Sequence, residues 1–250
     1  MPEPDEQTPA ADRFSWVTRR KAPERIPRQV IERFDRLEDL SSTVSDVLDQ
    51  LGLIGAIGAS RLKPSLPEKR VIGPALTVRN VEQRRSASTA AADNEWKMAE
   101  ILAVVEAKPG DVLLFQGVHD TSNMGGLLAT IAQREGIIGA VVDGGVRDVG
   151  HSRKIGLPIW SADVSPVTGK WRCITEEING VVNLAGVTVA AGDLVIADET
   201  GICVVPRERA EEVLERCEAI TRAEAAVEAD IAAGVPLTDL MERLYGDKKG

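Results

Sequence analysis

The sequence predicts an α/β fold: a mixed sheet with helices packed against it. Three observations carry the prediction. Within residues 124–160 an apolar stripe at helical spacing (Leu127, Leu128, Ile131, Ala132) gives way to the short β-branched run 137–142, then to a second helix and strand. Residues 181–205 supply three short strands with hairpin-type turns between them rather than helices, around Gly192-Asp193 and Glu199-Thr200-Gly201. A long charged helix follows over 207–233 and breaks at Gly234. With 250 residues, 43% of them apolar, the chain can bury one substantial core.

The remaining elements follow in order. Residues 1–12 are acidic and expected to be disordered, within an arm 1–27 that carries Phe14 and Trp16 as candidate anchors. That arm packs on a neighbour or hangs free. A single domain is expected over 28–234 and a helical tail over 235–250. Val30, Ile31, Phe34 and Leu37 mark a first helix. Ser41-Ser42-Thr43 offer N-caps for a second, with Val44, Val47, Leu48 and Leu51 as its apolar stripe and Gly52 as its stop. Asp46 and Asp49 fall on its solvated side. Residues 71–81 read as a strand, and its Gly73-Pro74 interruption suggests an edge or a bulge. Arg79, Arg84 and Arg85 read as surface charge. A helix over 95–107, capped by Asp93-Asn94, would turn Met98, Ile101, Leu102 and Val105 inward. The turn Lys108-Pro109-Gly110-Asp111 precedes a strand over 112–115. Its echo at Ala191-Gly192-Asp193 suggests two similar β corners rather than a tandem repeat. Residues 161–180 read as mixed and loop-like.

Composition limits the partners. A net charge of −9 argues against nucleic-acid binding. No apolar run approaches the roughly 20 residues of a membrane span. The acidic N-terminus has no signal-peptide core, so a cytoplasmic location is expected. Cys173, Cys203 and Cys217 lack a C-x-x-C pair and read as reduced thiols, two of them buried, with no zinc site. His119 and His151 are the only histidines, which excludes a His-rich metal site.

The chemistry concentrates around the central helix and strand. Gly125 and Gly126 open the helix and leave its first N–H groups, through Leu127 and Leu128, facing outward, where a carboxylate or phosphate is attracted. Asp143-Gly144-Gly145-Val146-Arg147-Asp148 follows the buried-looking strand, and ligands of α/β folds collect at the carboxyl ends of strands. Arg147 can hold a carboxylate through two parallel hydrogen bonds. Asp148 is a hard oxygen ligand suited to Mg²⁺ or Mn²⁺. An ordinary salt bridge is the commoner role of such a pair. The loop 116–123, with His119, Asp120, Thr121, Ser122 and Asn123, either faces an anion held at the glycines or simply caps and turns the chain.

Taken together, G-G-L-L-A (125–129), V-V-D-G-G-V-R-D (141–148), T-V-S-D-V-L (43–48), G-P-A-L-T-V (73–78), P-G-D-V (109–112) and G-D-L-V-I-A-D-E-T-G-I-C-V-V-P (192–206) resemble the RraA-like family over about residues 40–234. That family includes 4-hydroxy-4-methyl-2-oxoglutarate aldolases, which also decarboxylate oxaloacetate, and the regulator of ribonuclease E activity. The resemblance implies a β/β/α sandwich of the swivelling-domain type, assembled as homotrimers or homohexamers. It implies a metal-dependent carbon–carbon lyase acting on a small carboxylic acid through a pyruvate enolate. Asp148 would ligate Mg²⁺ or Mn²⁺, Arg147 would bind the 2-oxo oxygen or carboxylate, and the N–H groups of residues 125–128 would hold the substrate carboxylate. Glu224 matches, by its place before Gly234, a second family acid that reaches a neighbouring subunit's site. One position departs: the family aldolases place an acid where this chain has Gly126. Asp120, or His119, is the candidate substitute. Two alternatives stand beside the lyase, a regulator that binds a ribonuclease or helicase without turnover and a family enzyme with altered small-acid chemistry.

Overall fold

The computed structural model describes residues 14–245. The disorder expected over 1–12 lies outside the described residues, as does the end of the C-terminal tail, 246–250. In chain order the elements are β1 (Thr18–Arg19), α1 (Arg28–Phe34), α2 (Leu40–Gln50), β2 (Ala56–Gly58), β3 (Lys63–Pro64), β4 (Val71–Glu82), α3 (Ala87–Ala92), α4 (Ile101–Glu106), β5 (Val112–Gln116), β6 (Ser122–Met124), α5 (Gly126–Arg134), β7 (Gly139–Val146), α6 (Val149–Ile155), β8 (Ile159–Val164), β9 (Cys173–Ile178), β10 (Val182–Leu184), β11 (Val187–Val189), β12 (Leu194–Ala197), β13 (Gly201–Val205), α7 (Ala210–Ala232) and α8 (Leu237–Tyr245).

The expected mixed α/β sandwich is organised on β4. Strands run in the order β2-β13-β12-β4-β5-β7-β8-β3, with β9 also on β4, β1 on β9 and β6 on β7. The first part of β4 pairs antiparallel with β12, ending at Pro74 opposite Leu194. From Ala75 onward it pairs parallel with β5, and from Val78 antiparallel with β9. Pro74 is therefore neither an edge nor a bulge residue. It lies inside the sheet, and its missing N–H falls where the ladder passes from one partner to the next. Gly73 is a glycine for a steric reason: a Cβ there would lie 2.2 Å from the Gly110 carbonyl oxygen.

The two β corners anticipated from the sequence flank this hand-over. At each, an aspartate accepts from the backbone N–H three residues earlier at 2.8 Å, Lys108 to Asp111 and Ala190 to Asp193. Each has a left-handed glycine beside it, Gly110 (φ 92°) and Gly192 (φ 86°). The corners launch β5 and β12, which pair with β4.

Three larger apolar clusters fill the layers. Leu102 of α4 and Leu128, Ala129 and Ala132 of α5 pack on Phe115, Val142 and Ile159 of the sheet. Phe34, Val47, Val213 and Leu214 of α1, α2 and α7 cover Leu194, Ile196 and Val205. Trp160, Leu62, Leu114 and Val141 meet Leu184, Val189 and Val204 in the third. Burial of this apolar surface is the main favourable term in folding. Among the described residues no helix is long and apolar enough to cross a membrane.

Several expectations need correction. The helix expected over 95–107 is α4 alone, since Asn94 turns left-handed (φ 52°) and Lys97 forms a β-bridge with Ile174. Residues 161–180 contain the end of β8 and all of β9. Residues 181–205 hold four strands, because Ala185 (φ 48°) and Gly186 make an additional hairpin turn between β10 and β11. Ser41 caps nothing. It lies within α2, buried, and donates to Asp198 Oδ1 at 2.9 Å. The described part of the arm packs on its own chain: Thr18 pairs with Glu177 in β9, and Arg25 bonds Asp111. Thus Gly73→Ala should lower the unfolding free energy by roughly 2–3 kcal/mol, the usual scale of forced overpacking, measured by chemical denaturation. Wild-type stability would contradict the close approach of the two backbones.

Candidate active site

Strand β7 delivers the chemistry to one cleft of about 440 Å³. Beyond Val146, the Arg147 N–H donates to the Met124 carbonyl at 3.1 Å, which ties the end of β7 to the start of α5. Asp148 is left-handed (φ 57°) and opens α6. Its Oδ2 accepts from the Gly126 N–H at 2.9 Å and lies 3.6 Å from Arg147 Nε. A carboxylate against a helix N-terminus and beside a guanidinium is favoured on both counts. Among the described residues Asp148 Oδ1 makes no hydrogen bond, and both side chains remain about half exposed.

Leu127, Leu128 and Ile131 of α5 continue this wall. Trp96, Met98, Glu100 and Ile101 also line the cleft, as do Thr168, Gly169 and Lys170. Lys170 Nζ sits 4.4 Å from the Trp171 ring centre and 5.5 Å from that of Trp96, which draws the mouth together by cation–π attraction.

A buried amide holds the floor. Asn123 Oδ1 accepts from the Val118 N–H at 2.9 Å, and its Nδ2 donates to the carbonyls of Val118 (2.8 Å), Thr121 (3.0 Å) and Gly145 (3.3 Å). Asn80 Nδ2 donates to the same Oδ1 at 3.3 Å. Thr175 Oγ1 donates to Asn80 Oδ1 at 2.9 Å and accepts from the Ala99 N–H at 2.9 Å. The chain of bonds joins β4, β9, the loop before α5 and the strand of the D-G-G motif to the segment that presents Glu100.

Glu100 is half-buried, but its Oε2 has no exposed surface and, among the described residues, no hydrogen-bond partner. It occupies the N-cap position of α4 yet makes no side-chain cap bond. Burial pushes its carboxyl up to about 7. The three cysteines are all buried, one more than expected, and burial raises each thiol to about 12, far from a reactive thiolate.

The family described as RraA-like, Aldolase/RraA, matches residues 41–204. The chain belongs to the RraA-like family. It is 32% identical over 159 residues, 63% of this chain and 70% of the other, to a protein of Halalkalibacterium halodurans whose name gives 4-hydroxy-4-methyl-2-oxoglutarate aldolase as a proposed activity. It is 31% identical over 183 residues, 72% of this chain, to Protein DlpA of Legionella pneumophila, but spans only 29% of that protein's length. Among solved structures, the Streptomyces coelicolor protein RraAS2, described as an unusual member of the RNase ES inhibitor RraA protein family, superposes with a TM-score of 0.70. The two share 29% identity over 82% of this chain and 98% of the other.

Within this RraA-like chain, the residues singled out from sequence separate into two groups. Gly125, Leu127, Leu128, Arg147 and Asp148 line one cleft, and Gly126 lies immediately beneath it with its N–H committed to Asp148. Only the N–H groups of Leu127 and Leu128 remain in the helix's open first turn. Asp120 and His119 face elsewhere. His119 Nδ1 lies 2.9 Å from Asp163 Oδ2 and its Nε2 3.6 Å from Asp143 Oδ1, while the Asp120 N–H donates to Asp163 at 3.2 Å. Neither Asp120 nor His119 is among the residues that line the cleft within this chain. Glu224 is exposed on α7. At Gly126 a Cβ would lie 3.1 Å from His151 Cδ2 and 3.2 Å from Asp148 Cβ, and Thr130 Oγ1 sits 2.8 Å from His151 Nε2. The imidazole thus fills the space beside the position where the resemblance expects an acid.

Among the described residues no cluster of three or more His, Cys, Asp or Glu could hold a metal. A closed zinc-type site is absent there, but Mg²⁺ and Mn²⁺ are compatible with one carboxylate, since Mg²⁺ keeps several waters. Asp148 with its free Oδ1 suits that role. Glu100 was missed because its segment reads as helix. The raised carboxyl gives a pH test. A group protonated more readily when folded adds stability below its ordinary value of 4.5, and loses that contribution as pH rises through about 7. Glu100→Gln should gain stability relative to wild type across that interval. Parallel stability–pH curves would contradict the buried carboxyl.

Proposed function

We propose that this cleft is the active site of a divalent-metal-dependent lyase that decarboxylates or cleaves a small 2-oxo acid by way of a pyruvate enolate. The observation that carries the reading is the Asp148–Gly126 contact, which gathers Arg147, Asp148 and the start of α5 around one pocket. The aldolase activity proposed in the name of the Halalkalibacterium halodurans relative supports it.

Carbon–carbon cleavage next to a 2-oxo group leaves negative charge on the enolate oxygen, and preorganised positive groups lower that barrier. Arg147, half-exposed at the cleft, is placed to receive the 2-oxo oxygen or the adjoining carboxylate. The open N–H groups of Leu127 and Leu128 would anchor the substrate carboxylate. Asp148 would hold Mg²⁺ or Mn²⁺ through Oδ1, and when bound the ion supplies Lewis-acid stabilisation. The hydrogen bond from Gly126 fixes the carboxylate for that task.

Gly126 bears on substrate choice. Aldol cleavage requires removal of an alcohol proton, a role suited to an acid at that position in its ionised form. Decarboxylation of oxaloacetate requires no such step and tolerates the glycine. In a homotrimer or homohexamer Glu224, exposed on α7, would be the acid that reaches a neighbour's cleft. A second reading, a regulator that binds a ribonuclease or helicase without turnover, draws on the description of RraAS2 and on the missing acid.

Pyruvate release should be followed from oxaloacetate and from 4-hydroxy-4-methyl-2-oxoglutarate, with Mg²⁺ or Mn²⁺ and again with EDTA. Metal-dependent release is expected from oxaloacetate at least, falling by about 10²-fold or more in Asp148→Ala, as for loss of an electrostatic stabiliser. No release from either substrate, or full turnover of Asp148→Ala in EDTA, would contradict the lyase.

A further inference from the structure

We propose that Glu100 is the group that delivers a proton to the reacting carbon in this cleft. The inference rests on the lyase reading and adds to it a residue outside the Arg147–Asp148 pair and outside the glycine pair.

Four observations lead there. Glu100 lines the same cleft as Arg147 and Asp148. Its Oε2 is enclosed and unpartnered among the described residues, which is costly for a polar group with only a structural role. At the N-cap position of α4 its backbone is already helical (φ −58°, ψ −23°) and its side chain makes no cap bond. The residue before it is held by the Ala99 N–H to Thr175 Oγ1 bond at 2.9 Å, the end of the network that also fixes Asn123 in the cleft floor. Donor and substrate platform are thus bolted to one frame.

The alternatives are committed elsewhere. Asp148 accepts from Gly126 and faces Arg147. His119 meets Asp163, and neither His119 nor Asp120 lines the cleft. His151 contacts Thr130 and does not line the cleft. The other charged residues that line the cleft are Arg147, Asp148 and Lys170. Cys173, also acted on by Arg172 and Glu82, feels the Glu100 charge. Among the described residues none of these cations pairs with Glu100, so burial dominates and keeps the carboxyl protonated up to about 7. An acid poised near neutrality both holds and releases its proton.

The step balances as follows. In decarboxylation the bond from C3 to the departing carboxylate breaks, its electron pair forms the C2=C3 bond, and C2 carries the enolate oxygen. As that oxygen returns to a carbonyl, the C2=C3 pair takes the proton from the Glu100 carboxyl. A new C3–H bond gives pyruvate, and the carboxylate is reprotonated from water. The same transfer run backwards exchanges the methyl protons of pyruvate with solvent.

Methyl-proton exchange of pyruvate in D₂O with Mg²⁺, followed by NMR, tests this directly. Wild type should exchange, and Glu100→Gln should exchange about 10²–10⁴-fold more slowly, the usual loss for a general acid–base group. The affinities for Mg²⁺ and for oxalate, an enolate mimic, should stay within about twofold. Exchange at the wild-type rate in Glu100→Gln would overturn the proposal and leave the lyase standing. A parallel loss of Mg²⁺ affinity would overturn it in favour of a metal ligand. Wild type that neither exchanges nor releases pyruvate would overturn both. If Glu100→Gln fails to fold, infrared titration of ¹³C-glutamate-labelled wild type decides. A buried carboxyl titrating near 7 supports the donor, and a fully ionised one overturns it.

Discussion

The cleft depends on one buried amide. Asn123 has no exposed surface, and its side chain bonds three backbone carbonyls and one N–H while also accepting from Asn80. Val118 and Thr121 belong to its own loop, Gly145 to β7 and Asn80 to β4, so the amide fixes the loop 117–124 against both strands at once. Satisfied buried networks of this kind specify a single arrangement, because breaking any link strands a polar group away from water. Through Thr175 the same network reaches Ala99, and with it the segment that presents Glu100. The two segments are therefore related by hydrogen bonds as well as by the apolar packing of α4 and α5, and the hydrogen bonds constrain direction as well as distance.

On that frame electrostatics does the rest. Asp148 lies against the N-terminal end of α5, where the Gly126 N–H holds one carboxylate oxygen and leaves the other unbonded among the described residues. Glu100, in the same pocket, has an Oε2 without a partner among the described residues, and burial pushes its carboxyl up to about 7. Two carboxyls in one cleft are thereby separated by their surroundings. That separation is how enzymes assign one acid to binding charge and another to moving protons. Gly126 fits the same division: with His151 packed beside it, the start of α5 offers backbone N–H groups and no acid of its own.

Much of this was legible in the sequence. The α5–β7 segment was, because a 3.6-residue stripe turns into a β-branched run there, and the motif after it placed Gly125, Arg147 and Asp148 together. The two β corners were legible from the repeated Gly-Asp turn. The segment that presents Glu100 was not. Met98, Ile101, Leu102 and Val105 have helical spacing, but Val105 is 72% exposed and Met98 is buried against Val118 and Cys173 instead. Strand β9 was hidden because its sequence carries Glu176 and Glu177. Glu177 is buried all the same, its charge met by Arg20 and Arg79. Partners so distant in sequence as Asn80, Asn123 and Thr175 leave no local signature, and the position of Glu100 follows from them.

The account stands on Asp148 as the carboxylate that receives a divalent ion, and direct binding tests it without reference to any substrate. Calorimetric titration of Mn²⁺ into the wild-type protein should give saturable binding that is lost or much weakened in Asp148→Asn, with the fold unchanged by circular dichroism. Equal Mn²⁺ affinity in the two proteins, or none in either, would contradict it.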